Sequence, residues 1–256
     1  MVVIPGIQGR WEWMKPGIDA LARRCRVITF SLSDEPTCGG DFDETAGFNC
    51  YVEQVRAALD RAEVQSAAIC GVSYGGLIAS AFAARYPERA RALVLISALP
   101  PTWTPDSRVR FYLRAPRLLV PLFMLASLRM YREIAAAHPG VRAGMREATR
   151  HGLNVLGHMF SPSRMARRVR LLSGIDAASM APPSVPALVI TGEATLDRVV
   201  PVHATKEYLQ WLPDATVVSV ERTGHLGFIT RPDVFANLVA PFVLEHAQAE
   251  TRRRIG

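Results

Sequence analysis

Long hydrophobic runs are missing from this chain of 256 residues. The best candidate, 118–128, contains Pro121 and stops at Arg129, well short of the roughly 20 residues that a membrane-spanning helix needs. Cysteine is scarce. Cys25, Cys38, Cys50 and Cys70 include no C-x-x-C pair, and no His/Cys spacing suggests zinc, so neither a metal nor a cofactor is expected and the thiols are expected free in a reducing compartment. The short apolar opening Met1-Val2-Val3-Ile4 has no basic region before it, so no secretory signal is read there and a cytoplasmic location is expected. Lysine is almost absent, with only Lys15 and Lys206. Internal repeats are lacking too.

What is present is ordinary globular material. Hydrophobic residues make up 49% and charged residues 21%, which excludes a disordered chain, and the length suits one sizeable α/β domain or a domain with an insertion. The net charge of +7 is concentrated. Residues 100–180 hold 13 arginines against four acidic residues, while the remainder is slightly acidic. Nucleic-acid binding would need that charge organised with base-stacking aromatics. No such pattern is visible, so a small-molecule substrate is expected and a nucleic-acid partner is not.

Strands and helices alternate along the first hundred residues. Short β-branched or apolar runs at 1–4, 26–30, 66–70 and 91–96 read as strands. Helical spacing occupies 11–24, 49–61 and 77–85. The pattern predicts a doubly wound, mostly parallel sheet. It breaks from Leu99 to about Pro183, where prolines at 100, 101, 105, 116, 121, 139 and 162 cut a helical composition into short pieces. Strands return at 185–191 and 216–220, with helices at 202–212 and from Pro232. The expected division is a core in two parts, 1–99 and 184–256, with a helical insertion at 100–183.

Three polar residues fall just beyond strand ends, where open α/β sheets bind ligands. Ser73 sits in Gly71-Val72-Ser73-Tyr74-Gly75, a G-x-S-x-G pattern between a strand and a helix. That context makes it a candidate nucleophile on a tight turn. Asp197 follows the fifth strand and His225 the last. A serine hydroxyl needs a base to take its proton; His225 can do so near neutral pH, and Asp197 can hold the imidazole in the right tautomer. Glu193 lies closer to its strand end and is the rival acid. The backbone N–H groups of Ile7 and Tyr74 are candidate donors to an oxyanion. Trp11 and Trp13 read as packing residues rather than a stacking platform.

These motifs together resemble the α/β-hydrolase superfamily, in its capped esterase and haloperoxidase-like branch. Gly71-Val72-Ser73-Tyr74-Gly75-Gly76 resembles the nucleophile elbow, Asp197-Arg198-Val199-Val200-Pro201 the acid loop, and Gly224-His225-Leu226-Gly227-Phe228 the histidine loop. The resemblance implies a serine hydrolase acting on an ester or thioester through an acyl-enzyme. The same triad also serves lactonases, C–C bond hydrolases, acyltransferases and perhydrolases, and a non-catalytic small-ligand receptor could keep the fold. Three departures stand out. The family's oxyanion turn commonly begins His-Gly, whereas here it is Pro5-Gly6, so different hydrogen bonds must support it. The loop from Gly192 to Asp197 is about two residues longer than usual. Family members generally have an antiparallel strand pair before the first strand, whereas Met1 opens that strand directly: either residues upstream are missing from this chain, or the hydrolase is minimal and 26–30 is a sheet edge that must be covered, blunted or paired with another chain.

The resemblance also makes 100–183 a cap that selects substrate. Its apolar residues include Phe111, Tyr112, Leu118, Leu119, Val120 and residues 122–125, then Leu153, Val155, Leu156, Met159 and Phe160. More of them are present than cap packing requires, so a pocket for an acyl or alkyl chain is expected. Weak peripheral contact of the basic cap with a membrane is a further expectation.

Overall fold

The computed structural model describes residues 1–39, 42–138, 140–158, 161–172 and 181–255, without the side chains of 141, 155, 156, 205, 206 and 248–255. Pro139, Met159 and Phe160 lie outside the described residues, as do the side chains of Val155 and Leu156. Six strands form one sheet: β1 (Val2–Ile4), β2 (Ile28–Thr29), β3 (Ala67–Val72), β4 (Ala90–Ile96), β5 (Ala187–Thr191) and β6 (Thr216–Ser219). Their order is β2-β1-β3-β4-β5-β6, and every neighbouring pair is parallel. Strand β5 starts two residues later than the apolar run at 185–191, because Pro186 has no N–H for the ladder. Its carbonyl still accepts from Leu93 N–H.

Side-chain alternation along the strands splits the core in two. Leu93 and Leu95 of β4 face one layer with Ile69 of β3, and Ala92, Val94 and Ile96 face the other with Cys70. The first layer is covered by α2 (Asn49–Arg61) through Tyr51, Val55 and Leu59, by α3 (Tyr74–Arg85) through Leu77, Ile78 and Phe82, and by α9 (Thr205–Trp211) through Tyr208. The second is covered by α1 (Lys15–Ala22) and α11 (Pro232–Ile255), through Leu21, Phe235 and Val239. The predicted doubly wound sheet is therefore present. The β2 edge is only two residues long, and such short edges offer few unpaired groups to another chain.

Between β4 and β5 the described elements are all helical: α4 (Ser107–Arg114), α5 (Val120–Ser127), α6 (Tyr131–Ala137), α7 (Val141–Gly157) and α8 (Pro162–Leu171), with a 3₁₀ turn at Leu128–Met130. Pro121 and Pro162 sit in the first turns of α5 and α8, where a missing N–H costs nothing. Asp106 and Ser161 cap α4 and α8 by accepting from Val109 and Arg164 N–H. Among the described residues no helix is long and apolar enough to cross a membrane.

Helix α8 is fastened to the core by a buried charge. Arg168 has no exposed surface, and neither do the side chains of Asp34 and Glu35. Its guanidinium donates to Asp34 Oδ1 (3.0 and 2.6 Å) and Glu35 Oε1 (2.6 Å), and to the Ile7 carbonyl (2.7 Å). Arg164 adds a second donor to Glu35 at 3.0 Å, and Arg167 lies 3.7 Å from Asp34 Oδ2. Burial works against the Arg168 cation, but the two carboxylates hold its proton more tightly than usual. Arg168→Met removes the one fully buried cation that both carboxylates share and leaves them only the half-buried Arg164 and Arg167, and a loss of about 3–5 kcal/mol is expected by equilibrium urea unfolding. Adding Asp34→Asn and Glu35→Gln should recover much of that loss.

Candidate active site

The loops at the carboxyl ends of β1, β3, β5 and β6 converge. Ser73 follows β3 with φ 53° and ψ −119°, a conformation that side chains avoid. Its N–H donates to the Ile96 carbonyl at 2.9 Å, which pins the turn to β4. The turn exists because Gly75 has no Cβ, for one built there would lie 2.5 Å from the Ile4 carbonyl oxygen. Helix α3 begins at the next residue, so the positive end of its dipole lies at Ser73.

The structure brings Ser73, His225 and Asp197 into a line. His225 Nε2 is 3.0 Å from Ser73 Oγ, a normal hydrogen bond. On the ring's other side, Nδ1 lies 3.4 Å from Asp197 Oδ2, close enough for charge pairing but without hydrogen-bond alignment. Asp197 Oδ1 accepts from the N–H groups of Val199 (2.9 Å) and Val200 (2.9 Å), which aims the other oxygen at the imidazole. Burial would raise the Asp197 carboxyl, but His225 and these donors hold it below its usual range. Burial likewise disfavours the imidazolium, yet Asp197, with help from Glu133, raises His225 above an ordinary imidazole.

Glu193 does not reach the imidazole. Its Oε1 accepts from Arg222 N–H (2.6 Å), its N–H donates to the Thr223 carbonyl (2.8 Å), and its carbonyl accepts from Asp197 N–H (2.9 Å). The longer loop is thus a turn built on Glu193 that delivers Asp197. A close backbone contact completes it, for a Cβ on Gly224 would meet Asp197 N at 2.8 Å.

Glu133 is a residue that the sequence did not single out. It lies on α6, is 1% exposed, and its Oε1 accepts from Gly224 N–H (2.7 Å) and Leu226 N–H (2.6 Å), the two neighbours of His225. Burial pushes its carboxyl up to about 7, against the pull of those donors and of His225. One acidic residue in a helix far along the chain carries no local signature of such contact.

Tyr74 follows Ser73 at the start of α3, and Ile7 lines the same cavity as Ser73. Among the described residues neither N–H has an acceptor, and the first N–H of a helix has none within it. Arg168 touches both residues: it donates to the Ile7 carbonyl, and its own carbonyl accepts from Tyr74 Oη at 3.2 Å. The first of these bonds ties Arg168 to the turn after Pro5-Gly6.

Ser73 and His225 open into a cavity of about 250 Å³. Ile7, Leu99, Trp103 and Val199 contribute from the core, and Tyr112, Val120, Phe123, Met165 and Val169 from the helices between β4 and β5. Among the described residues the lining is chiefly apolar and holds Arg108 and Arg129 but no carboxylate. Trp13 also lines it, donating Nε1–H to the His158 carbonyl (2.9 Å) with its ring edge-on to His151. Trp11 instead packs against the core.

A strained serine, an imidazole at hydrogen-bond distance and a carboxylate behind it can move a proton off the hydroxyl while the hydroxyl attacks. Known proteins with similar chains include named hydrolases. The 2-hydroxymuconate semialdehyde hydrolase of Pseudomonas putida is 29% identical over 238 residues, covering 86% of this chain and 75% of that protein. The poly(3-hydroxyalkanoate) depolymerase of Ectopseudomonas oleovorans is 27% identical over 270 residues, covering 100% and 86%. Among solved structures, the enol-lactonase of Burkholderia xenovorans LB400 superposes with a TM-score of 0.75 at 20% identity, covering 95% of this chain and 90% of that one. The family model described as "Alpha/beta hydrolase family" matches residues 1–238, and the chain belongs to that family of enzymes.

Proposed function

We propose that this protein is a serine hydrolase that cleaves a carboxylic ester or thioester with an apolar acyl or alkyl part, through an acyl-enzyme. The observation that carries the reading is the line from Ser73 Oγ through His225 to Asp197 at the base of an apolar cavity. Ser73 Oγ attacks the carbonyl carbon while its proton passes to His225 Nε2, and the Ile7 and Tyr74 N–H groups receive the oxyanion. His225 then protonates the departing alcohol or thiol. Water, deprotonated by His225, attacks the acyl carbon and frees Ser73. Residues 100–183 act as a cap over the core formed by 1–99 and 184–256. The names of the relatives favour a second reading on the same three residues, hydrolysis of a C–C bond or a lactone.

A fluorophosphonate probe is expected to label Ser73, located by peptide mapping, and Ser73→Ala should lose about 10³-fold or more of kcat on an aryl ester with its thermal unfolding unchanged. Labelling elsewhere, or full activity in that variant, would refute the assignment. Ester chain length tests the cavity: butyrate and longer acyl groups should exceed acetate in kcat/KM. A preference for acetate contradicts an acyl pocket.

The pH profile tests the base. His225 must be neutral to accept the proton, so activity rises with pH through its elevated pKa. Asp197→Asn removes the main charge that raises it, so the ascending limb should move to lower pH, with kcat falling on the order of 10³–10⁴-fold. Glu133→Gln keeps an oxygen for the Gly224 and Leu226 donors and should move the limb the same way by less. Glu193→Gln should leave the limb in place.

A further inference from the structure

Helix α5 has two apolar sides. Val120, Phe123 and Ala126 line the cavity that holds Ser73. On its other side and in the adjoining turns, Phe111, Leu118, Leu122, Met124, Leu125 and Leu128 face outward, with Leu118 80%, Leu125 63% and Leu128 59% exposed. Large side chains grouped in this way mark an interaction surface. The eight residues of α5 carry no charge, but the chain on either side of them is strongly basic. Residues 107–132 contain no acidic residue and six arginines; Arg108 and Arg129 line the cavity, which leaves Arg110, Arg114, Arg117 and Arg132 for the outer surface. Among the described residues none of these four forms an ion pair, whereas Arg108 lies 3.8 Å from Asp106.

We infer that the α4–α5 surface docks on an anionic lipid membrane, inserting the outward leucines of α5 among the acyl chains while the flanking arginines pair with lipid phosphates. Charge decides the occupant. A second copy would set the same arginines against one another across a two-fold interface, which disfavours a dimer on this face. A nucleic acid would gain nothing from an uncharged apolar helix between the basic segments. A bilayer with acidic headgroups answers both features, since apolar side chains partition into the interface and each basic residue near the surface adds to the attraction. Docking would bring the cavity wall formed by α5 to the lipid, so an apolar ester could enter without crossing water. That last step rests on the hydrolase reading, but the membrane contact does not.

The test is co-sedimentation of the full chain with phosphatidylcholine–phosphatidylglycerol vesicles and with pure phosphatidylcholine vesicles. Binding is expected to the anionic vesicles, about tenfold or more weaker to the neutral ones, and reduced by high salt. Replacing Leu118, Leu125 and Leu128 together by serine should abolish sedimentation while leaving the melting temperature and the turnover of a water-soluble ester unchanged, because these side chains are exposed and do not line the cavity. Ser73→Ala should sediment like the wild type, which separates failure of the docking surface from failure of the catalytic reading. Wild-type protein that ignores anionic vesicles would overturn the inference. So would unchanged binding by the triple variant, or a solution dimer, measured by light scattering, that the same three substitutions break.

Discussion

The site depends on one backbone contact. The first turn of α3 lies so close to the end of β1 that no side chain fits between Gly75 and the carbonyls of Ile4 and Pro5. That contact places the start of α3 directly beside the turn after β1. Ser73 must then turn with a positive φ, at a cost of about 1–3 kcal/mol, which the burial of α3 along most of its length offsets. It also brings the turn after β1 against Ser73, so that a Cβ on Gly6 would lie 3.5 Å from the serine Cβ. A flatter turn would relieve the strain and lose the alignment with His225.

Four buried ionisable groups surround that turn, and burial opposes the charged form of each. Asp197 and His225 stabilise one another. Glu133 and Arg168 come from the helices between β4 and β5, and both grip the backbone of a loop at the end of a strand. Glu133 holds the segment on either side of His225, and Arg168 holds the turn containing Ile7. The segment between β4 and β5 therefore both walls the cavity, through α4, α5 and α8, and holds the loops that carry His225 and Ile7, through Glu133 of α6 and Arg168 of α8. Exchanging those helices to change substrate preference would disturb the geometry of the serine and histidine unless these two contacts were kept.

Much of this was legible in the residues. Alternating strand and helix patterns identified the doubly wound sheet, because period-two and near-four spacings leave their mark locally. Ser73, Asp197 and His225 were readable because each lies in a short glycine- or proline-bearing loop after a strand. The choice of Asp197 over Glu193 was not decided by spacing. It followed from the turn that carries Asp197 beyond Glu193 and from the hydrogen bonds that engage Glu193 with the histidine loop. Glu133 and Arg168 were hidden for a related reason: one is a single acid in an alanine-rich helix, the other one arginine among 13 in its segment.

The sequence by itself determined the fold class, the tight turn at Ser73 and the three polar residues beyond the strand ends, since each rests on local patterning and on glycines that permit close approach. Only the tertiary structure decided which carboxylate faces His225, which residues support the turn after β1, and which apolar side chains line the cavity rather than face outward. Those outcomes depend on contacts between residues about 30 to 160 positions apart, where spacing along the chain says nothing about distance in space.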